Sequence, residues 1–247
     1  MKIAVISDIH GNMLALNSVL DDIKSEKCDK IFCLGDLAMA GAEPDKAIEK
    51  IKELQGENFI VIQGNTDEMI ANFNQIPAIV FEDDTSPMLN ALKSDMELIT
   101  DTQIQFLKKL HTQKEIEIFG KKILLVHGSP RKNNEDIPPG LPIEKVEEMI
   151  FSTDADIIFC GHTHIPCGYQ TNTKQTVVNV GSVGRPLTPN TQSCYAILNI
   201  IDGGMFKIEH KFVKYDNIKA SELLKARGYK GADKIANLLI NPTSRHG

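Results

Sequence analysis

The sequence contains few cysteines, and their arrangement argues against two kinds of site. Only five cysteines occur among the 247 residues, at positions 28, 33, 160, 167 and 194. The number is odd and no two cysteines form a CxxC pair, so a disulfide framework and a thiolate zinc site are both disfavoured. Cys33 and Cys160 lie inside apolar runs, where a free cysteine usually packs as a small hydrophobic side chain.

The sequence also lacks an excess of positive charge. Its 27 Lys and Arg residues are outnumbered by 33 Asp and Glu residues, which gives a formal net charge of -6. A broad nucleic-acid-binding surface normally needs basic side chains clustered on one face, so we expect no nucleic-acid partner. A small anionic substrate remains compatible with this charge, because bound metal cations can supply local positive charge.

Long apolar stretches and low-complexity segments are absent as well. No stretch approaches the roughly 18 consecutive apolar residues of a membrane span, and no charged-then-apolar leader precedes Lys2 to Ile6. We therefore predict a cytoplasmic protein without a membrane segment. The 42% hydrophobic content can form a full core. We predict one domain over residues 1–247, with a C-terminal helical extension at about 217–247.

The sequence does contain apolar runs that each end in side chains able to hold a metal. The runs are KIAVIS before Asp8 and His10, KIFCL before Gly35-Asp36, NFIVIQ before Gly64-Asn65, KILLV before His127, and DIIFC before Gly161-His162-Thr163-His164. Ligands of open α/β sheets gather beyond the carboxyl ends of the strands. The pattern therefore predicts several strand ends that converge on one polar pocket.

Helical periodicity appears between the first runs. Met13 to Lys24 carries apolar residues at helical spacing, and Pro44 opens a second helix. Residues 85 to 111 form a broken helical region with a capping box at Thr100 and Gln103. Strands that alternate with helices indicate crossover units and a largely parallel sheet.

The second half of the sequence favours hairpins. Residues 115–126 and 195–213 each contain two strand-like runs around a glycine turn. Short helices are expected at Ser221 to Ala226 and Ala232 to Leu239. Their function cannot be inferred from the residues.

Other polar residues receive ordinary interpretations. The acidic runs at 82–84 and 135–136 are expected to be solvated loops. Three histidines outside the motifs, His111, His210 and His246, are expected to be ordinary, partly exposed residues.

The donor types indicate a catalytic metal site. A mixed nitrogen and oxygen set without thiolate suits Mn²⁺, Fe²⁺ or Zn²⁺ more than a structural zinc. A mononuclear site needs three or four ligands, whereas seven residues compete here: Asp8, His10, Asp36, Asn65, His127, His162 and His164. The surplus is explained if a carboxylate bridges two ions roughly 3.5 to 4 Å apart. Asp36 is the candidate bridge, and two divalent metal ions are the predicted cofactors.

Taken together, these motifs resemble the signature of the calcineurin-like metallophosphoesterase superfamily, in order and with ordinary spacing over about residues 1 to 200. The phrases VHGSPR at 126–131 and NVGSVGRPL at 179–187 are similar to a bacterial and archaeal branch of small phosphodiesterases. Some members of that branch are described as diadenosine tetraphosphate hydrolases. The resemblance implies an α/β fold, a four-layer αββα sandwich with two mixed β-sheets and both metals at the strand ends.

The resemblance also implies roles for individual residues. It assigns one metal to Asp8, His10, Asp36 and His164, and the second to Asp36, Asn65, His127 and His162. A hydroxide that bridges the metals would be the nucleophile, which makes Asp36 and Asn65 part of the catalytic centre. The candidate substrate contacts are Asn12, Arg131 and Arg185. For both arginines a phosphate contact and a surface salt bridge remain open.

One position departs from the family pattern. Many members carry a histidine after the motif asparagine, where it assists the leaving group, but here Thr66 and then Asp67 follow Asn65. Loss of a general acid costs about 10²- to 10⁴-fold for a basic leaving group. A nucleoside phosphate, with a second pKa of about 6, hardly needs protonation. Thr66 therefore favours phosphoanhydride or aryl ester substrates, and water or Asp67 could replace the missing histidine.

The predicted function is thus a binuclear metal-dependent phosphoesterase that acts on a small phosphate ester or nucleotide, dinucleoside polyphosphates among them. One alternative is a non-catalytic scaffold, since a retromer subunit in eukaryotes shares the fold with a weakened metal site. A second alternative is a phosphoprotein phosphatase, although those enzymes keep histidine where this sequence has Thr66. Pairing of edge strands between subunits in an oligomer also remains open.

Overall fold

The structure is a computed structural model that describes residues 1–82 and 85–241. Most of the predicted acidic loop at 82–84, the residue His246 and the end of the predicted extension at 217–247 lie outside the described residues. No helix within these two ranges is long and apolar enough to cross a membrane.

Strands and helices alternate over most of the described chain. The strands are β1 (Lys2–Ile6), β2 (Lys30–Cys33), β3 (Phe59–Val61), β4 (Gln113–Ile118), β5 (Lys121–Val126), β6 (Ile157–Cys160), β7 (Cys167–Gln170), β8 (Thr176–Asn179), β9 (Ser193–Ile200) and β10 (Phe206–Val213). The α-helices are α1 (Met13–Ser25), α2 (Pro44–Leu54), α3 (Asn65–Ala71), α4 (Pro87–Met96), α5 (Asp101–Lys109), α6 (Ile143–Ile150), α7 (Asn217–Lys225) and α8 (Ala232–Leu238). Short 3₁₀ turns span Phe73–Gln75 and Ala78–Phe81.

The strands form two mixed sheets of five strands each. The first sheet has the order β10-β9-β1-β2-β3, with β1, β2 and β3 parallel and β9 antiparallel to β1. The second has the order β4-β5-β6-β8-β7, with β5, β6 and β8 parallel and an antiparallel strand at each edge. The predicted ligand runs are the parallel strands β1, β2, β3, β5 and β6, so their carboxyl ends meet at one end of the molecule.

The two sheets pack face to face around an apolar core. Along β1, Ile3 and Val5 face the second sheet, where Ile123 and Phe159 belong to the same buried cluster. Ala4 faces the opposite side, in the cluster that includes apolar residues of α1 and α2, because successive strand residues point to opposite faces. Helix α6 covers the outer face of the second sheet. The predicted four-layer αββα sandwich with two mixed sheets is confirmed.

Local predictions agree with the structure except in short elements. Helices α1 and α2 and the hairpins β4–β5 and β9–β10 occur where they were expected, as does the capping box of α5. Helices α3 and α6 and the β7–β8 hairpin were missed, because segments of four to eight residues carry little periodic signal. Helix α7 begins at Asn217, earlier than predicted, because Asp216 caps it by accepting a hydrogen bond from the Lys219 amide.

The C-terminal helices are tied to the loops that follow the first-sheet strands. Arg227, after α7, donates to the Gly41 carbonyl and to Ser94 Oγ. Its guanidinium also lies 2.9 Å from the buried Asp95 carboxylate. A buried, hydrogen-bonded charge pair is geometrically demanding, so it holds this segment in place. Helix α8 packs against α4 and α7.

Candidate metal centre

The seven predicted ligands lie together at the carboxyl ends of the parallel strands. Six of them are almost fully buried, with exposed fractions of 8% or less: Asp8, His10, Asp36, His127, His162 and His164. Asn65 is half-buried and contacts His127. The cluster therefore draws on three strand ends of the first sheet and two of the second.

The first half of the cluster has paired imidazoles. His10 Nδ1 lies 3.1 Å from the Met39 carbonyl and His164 Nδ1 lies 2.7 Å from the Arg185 carbonyl. A carbonyl can only accept, so in the neutral rings each Nδ1 carries the proton. The two Nε2 atoms, 3.1 Å apart, then direct lone pairs towards each other. Such an arrangement fits a cation that both nitrogens contact.

A buried carboxylate oxygen completes this half. Asp8 Oδ1 lies 3.3 Å from His164 Nε2 and 3.8 Å from His10 Nε2. Within residues 1–82 and 85–241 it accepts no hydrogen bond, although it is fully buried. A buried polar atom without a partner is costly and calls for an explanation. Asp8, His10 and His164 offer ligand atoms close enough to share one ion, so the residues present fit a divalent cation.

The second half of the cluster is built around His127. Its Nδ1 lies 2.9 Å from the Leu34 carbonyl, while its Nε2 lies 3.0 Å from Asn65 Oδ1 and 3.4 Å from Asp36 Oδ2. Asp8, Asp36 and His127 form a second group able to hold an ion. Asp8 therefore belongs to both groups, and it joins Asp36 as a carboxylate placed between the two halves.

The carboxylates of the cluster are held ionised by the imidazoles around them. Burial alone would raise the pKa of Asp8, but His164 and His127 hold it well below its usual range. Burial also opposes ionisation of Asp36, yet His127 and His10 lower its pKa. Both groups are thus in the form that binds a cation.

The histidines differ in their tendency to hold a proton. Burial and the nearby Arg185 guanidinium lower the pKa of His10, and burial and His127 lower the pKa of His162. Burial lowers the pKa of His127 too, but the carboxylates, Asp36 first, outweigh burial and raise it to about 9. A divalent cation at His127 Nε2 would displace that proton.

The ligand turns adopt an uncommon backbone conformation. Five of the seven predicted ligands have positive φ: Asp8 (57°), His10 (47°), Asp36 (54°), His162 (66°) and His164 (63°). Residues other than glycine rarely occupy this region, and such strain persists only where the surroundings hold it. Hydrogen bonds between turns, such as His10 N to Asp36 O at 2.9 Å, provide that support.

Glycines allow these turns to approach one another. A Cβ at Gly35 would lie 2.1 Å from the Gly64 amide nitrogen, and one at Gly161 would lie 2.2 Å from Ser7 Oγ. Neither distance is sterically tolerable, so a glycine is required directly before Asp36 and before His162. This explains why the motifs carry glycine next to the ligand.

Asp67 joins two of the turns. One of its carboxylate oxygens accepts from the amides of Asp36 (2.8 Å) and Gly64 (2.9 Å), and the other accepts from Leu37 (2.9 Å). Burial and the Asp36 charge raise the pKa of Asp67 to about 7. Both oxygens thus accept from the backbone, which argues against the prediction that Asp67 protonates a leaving group in place of the missing histidine.

Thr66 also interacts with the chain itself. Its amide donates to Asp36 Oδ1 at 2.8 Å, and its hydroxyl donates to the Ala38 carbonyl at 3.1 Å. The hydroxyl proton thus points to a carbonyl of the protein. Thr66 positions the Asp36 carboxylate and offers no acidic proton for catalysis.

The two candidate arginines occupy different surroundings. Arg185 Nη2 lies 3.4 Å from His10 Nε2, so its guanidinium borders the cluster. Arg131 instead forms a two-pronged pair with Glu135, with Nε and Nη2 each 2.8 Å from a carboxylate oxygen. For Arg131 the salt-bridge alternative thus matches the structure, and a phosphate contact would require exchange of this partner.

Asn12 has a structural partner at each end of its side chain. Its Oδ1 accepts from the Ala15 amide at 3.2 Å and caps α1, and its Nδ2 donates to the Gly184 carbonyl at 2.8 Å. A phosphate contact from Asn12 remains a prediction, since Oδ1 caps the helix while Nδ2 has a second hydrogen to donate.

Asp136 was missed by the sequence analysis. Its Oδ1 lies 3.3 Å from His162 Nε2, the predicted ligand atom. Residues 135–136 lie in a loop, as predicted, but their side chains are only partly solvated, because Glu135 binds Arg131 and Asp136, whose side chain is 35% exposed, faces His162. A usable signal was the position of this loop directly after the VHGSPR motif, since a chain that leaves β5 begins at the cluster.

Two cavities flank the cluster and share Asn65 and Met69. The first, of about 650 Å³, lies between the cluster, α4 and α8, and we call it the apolar cavity; beyond the cluster its main apolar lining is Met39, Met69, Met88, Leu89, Leu187, Ile235 and Leu238. The second, of about 610 Å³, is the polar cavity; its lining includes Glu68, Asn72, Gln113, Arg131, Lys132, Asn133 and Asn134.

Comparisons with known proteins agree with this geometry. The calcineurin-like phosphoesterase superfamily domain matches residues 1–203. The uncharacterized protein MJ0912 of Methanocaldococcus jannaschii is 35% identical over 240 residues, which cover 89% of this chain and 90% of that protein.

Solved structures share the fold. The hypothetical protein PH1004 from Pyrococcus horikoshii OT3 has a TM-score of 0.86 at 22% identity, over 98% of this chain and 99% of that chain. A metallophosphoesterase from Sphaerobacter thermophilus has a TM-score of 0.77 at 22% identity, over 98% of this chain and 100% of that chain. The domain match over most of the chain leads to one conclusion: the chain belongs to the calcineurin-like phosphoesterase superfamily.

Proposed function

We propose that this protein is a two-metal phosphoesterase that hydrolyses small phosphodiesters or phosphoanhydrides, dinucleoside polyphosphates among them. The observation that carries the proposal is the pair of Nε2 atoms of His10 and His164, which face each other 3.1 Å apart beside the buried Asp8 Oδ1. A divalent cation would give a partner to both nitrogens and to the buried Asp8 oxygen. Membership of the phosphoesterase superfamily supports the same chemistry.

Two cations, with Mn²⁺, Fe²⁺ or Zn²⁺ as candidates, would activate water at neutral pH and neutralise charge on the phosphoryl oxygens. The first would be held by Asp8, His10, Asp36 and His164, and the second by Asp36, Asn65, His127 and His162. The protein contributes the orientation of these ligands, since backbone carbonyls fix the Nδ1 proton of three histidines. Arg185, at the border of the cluster, would orient a phosphoryl oxygen.

The residues near the leaving group favour weakly basic leaving groups. Thr66 and Asp67 both direct their polar atoms at the backbone, so neither supplies a proton. Phosphoanhydrides and aryl esters react without one, whereas alkyl esters lose about 10²- to 10⁴-fold. The proposed substrate is therefore a small phosphate ester or nucleotide. The proposed location of the protein is the cytoplasm.

The test uses metal-stripped protein with diadenosine tetraphosphate and, separately, bis(4-nitrophenyl) phosphate, each with and without Mn²⁺. We expect Mn²⁺-dependent cleavage of at least one substrate that is lost in Asp36→Asn. Chromatography of the nucleotide products identifies the attacked phosphorus, since ADP alone and ATP with AMP arise from different positions.

Two other outcomes would replace the proposal. No cleavage with Mn²⁺, Fe²⁺ or Zn²⁺ would favour the non-catalytic scaffold. Cleavage confined to a phosphoprotein would favour the phosphatase alternative.

A further inference from the structure

The apolar cavity is unusual for a site that handles phosphate. It opens onto His10, Asp36 and His164, yet the wall beyond the cluster is largely carbon and sulfur. The apolar side chains of this wall include Met39, Met69, Met88, Leu89, Leu187 and Leu238. A substituent attached to a phosphoryl group at the cluster would extend into this space.

The uncharged polar side chains of this wall are already engaged. Ser86 Oγ accepts from the Leu89 amide at 3.4 Å and caps α4. The Thr66 hydroxyl donates to the Ala38 carbonyl. Two charged side chains also line the cavity: Lys234, which is exposed at the rim, and Arg185, which borders the cluster. The wall therefore offers contact area and few hydrogen bonds, which suits an apolar group.

The helices on either side hold the apolar cavity open. A Cβ at Gly231, just before α8, would lie 2.8 Å from Pro87 Cβ at the start of α4. Asn90 Nδ2 donates to the Lys230 carbonyl, and Ser221 Oγ donates to the Ala236 carbonyl. These contacts fix α8 against α4 and α7, so the space is part of the fold.

The polar cavity on the other side of Asn65 has a larger share of polar side chains. Its lining includes the amides of Asn72 and Gln113 and the charged ends of Arg131 and Lys132. The two cavities thus differ in what they bind although they meet at one cluster. Because of this contrast, we expect the two substituents of a bound diester to be distinguished by the cavity that each one enters.

We infer that the apolar cavity binds an apolar, flat substituent of the substrate, such as an aromatic ring, and that Leu89 and Leu238 determine this specificity. The inference rests on the proposed function, because the phosphoryl group that bears the substituent lies at the proposed metal centre. The thioethers of Met39, Met69 and Met88 favour ring contacts. The substrate class is therefore a phosphate ester or phosphodiester with at least one aromatic substituent, a nucleobase included.

The first test measures binding without turnover. Phenylphosphonate and methylphosphonate have stable carbon–phosphorus bonds and differ only in the substituent. Calorimetric titration of the Mn²⁺-loaded protein should give phenylphosphonate about tenfold or more tighter binding, the discrimination that an apolar pocket provides for a few carbon atoms. Equal affinities, or no binding of either compound, would overturn the inference.

Variants locate the effect. Leu89→Gln on α4 and Leu238→Gln on α8 should each reduce the phenyl preference to about twofold or less and leave methylphosphonate binding unchanged. The two leucines lie on different helices, so a folding failure of one variant leaves the other. Asn72→Ala, in the polar cavity, and Phe151→Gln, on a side chain 78% exposed after α6, should keep the preference. Loss of the preference in Asn72→Ala alone would place the ring in the polar cavity and refute the assignment.

Hydrolysis of bis(4-nitrophenyl) phosphate separates this inference from the proposed function. Mn²⁺-dependent hydrolysis without a phenyl preference would uphold the function and reject the apolar-cavity assignment. A phenyl preference that depends on Leu89 and Leu238, without hydrolysis of any ester, would uphold the assignment and reject the function.

Discussion

The ligand turns and the core between the two sheets lie within about one strand length of each other, but they bury different kinds of side chain. In the core, Ile3, Val5 and Phe159 are fully buried on strands of ordinary geometry. In the turns, Asp8 and Asp36 are equally buried, but they carry charge and adopt positive φ. The core buries apolar side chains, which favours folding, whereas the turns bury charged groups that water would stabilise.

The difference shows how the strain is maintained. Buried charges and left-handed turns each lower the stability of the folded state. Burial of apolar side chains in the core raises it and offsets this cost. The turns follow directly on core strands, and hydrogen bonds such as Asp8 N to Gly35 O (3.0 Å) join one turn to the next. We therefore expect substitutions in the core to reduce stability, and substitutions in the turns to reduce activity.

The largest effect is expected for Asp36→Asn. The amide oxygen can still accept from the Thr66 amide, but the negative charge between the two halves of the cluster is gone. Metal-dependent hydrolysis should fall about 10³-fold or more, the scale of losing metal-centred stabilisation of the transition state. The free energy of unfolding of the metal-free protein should fall by no more than about 2 kcal/mol at neutral pH, because the lowered pKa of Asp36 means that its charge stabilises the folded state, while the neutral amide avoids the cost of burying a charge.

Hydrolysis of bis(4-nitrophenyl) phosphate and urea unfolding of both proteins measure the two effects. If the metal-free variant were less stable by more than about 2 kcal/mol, the separation between the two regions would be lost.

The converse change is Ile123→Ala in the core. Ile123 is fully buried in the first half of β5, away from the carboxyl end of the strand that precedes His127. The substitution should cost about 2 to 5 kcal/mol of unfolding free energy and leave the activity of the folded fraction within about twofold. Ile201→Ala, at a side chain 53% exposed, is the matched control and should change stability by no more than about 0.5 kcal/mol. Comparable losses from both alanines in urea unfolding would contradict the assignment of stability to the core.

Asp67 joins two of the ligand turns through buried hydrogen bonds, so its substitution should reduce both stability and metal affinity. Asp67→Ala leaves three buried amides without an acceptor, at a cost of about 1 to 3 kcal/mol. Asp67→Asn keeps one oxygen acceptor and should cost less. Because the amide of Asp36 loses its partner, Mn²⁺ affinity should also fall, by about 10- to 100-fold in the alanine variant. Titration of Mn²⁺ by calorimetry checks this, and unchanged affinity in Asp67→Ala would show that the turn keeps its shape without the carboxylate.

The same contrast explains how much was predictable from the sequence. Strand ends and candidate ligands could be predicted, because an apolar run followed by Gly-Asp or His-x-His is a local pattern. The polar environment of Asp8 and Asp36 could be expected from their place at strand ends. The partner of Arg131 could not be predicted, because a guanidinium binds a carboxylate such as that of Glu135 and a phosphate equally well.

The residues that form the walls of the apolar cavity could not be predicted from the sequence, for a related reason. Leu89 and Leu238 are far apart in the sequence, and each fits the apolar face of an amphipathic helix. Only the packing of α8 against α4 brings them beside the cluster.

Asp136 was overlooked because an acidic loop residue has no pattern that separates a ligand neighbour from a solvated carboxylate.

The smallest expected effect concerns a charge outside both regions. Glu26, after α1, accepts hydrogen bonds from Lys2 of β1 and from Lys211 of β10, and these lower its pKa to about 2. A carboxylate with a lowered pKa stabilises the folded state above its unfolded pKa of about 4.3, and this contribution disappears as the pH falls towards 2. Because the side chain is 24% exposed, the contribution should stay below about 1 kcal/mol.

Urea unfolding of the wild-type protein and Glu26→Gln at pH 6, 4 and 2.5 tests this directly. The wild-type advantage should be greatest at pH 6 and decline through pH 4, with Glu57→Gln, at an exposed position, as the control. An advantage that persisted undiminished at the lowest pH would mean that the glutamate stabilises by packing its methylenes. An advantage that declines with pH would mark Glu26 as a true surface charge. Its effect, unlike that of the buried carboxylates of the ligand turns, is weak because water already solvates it.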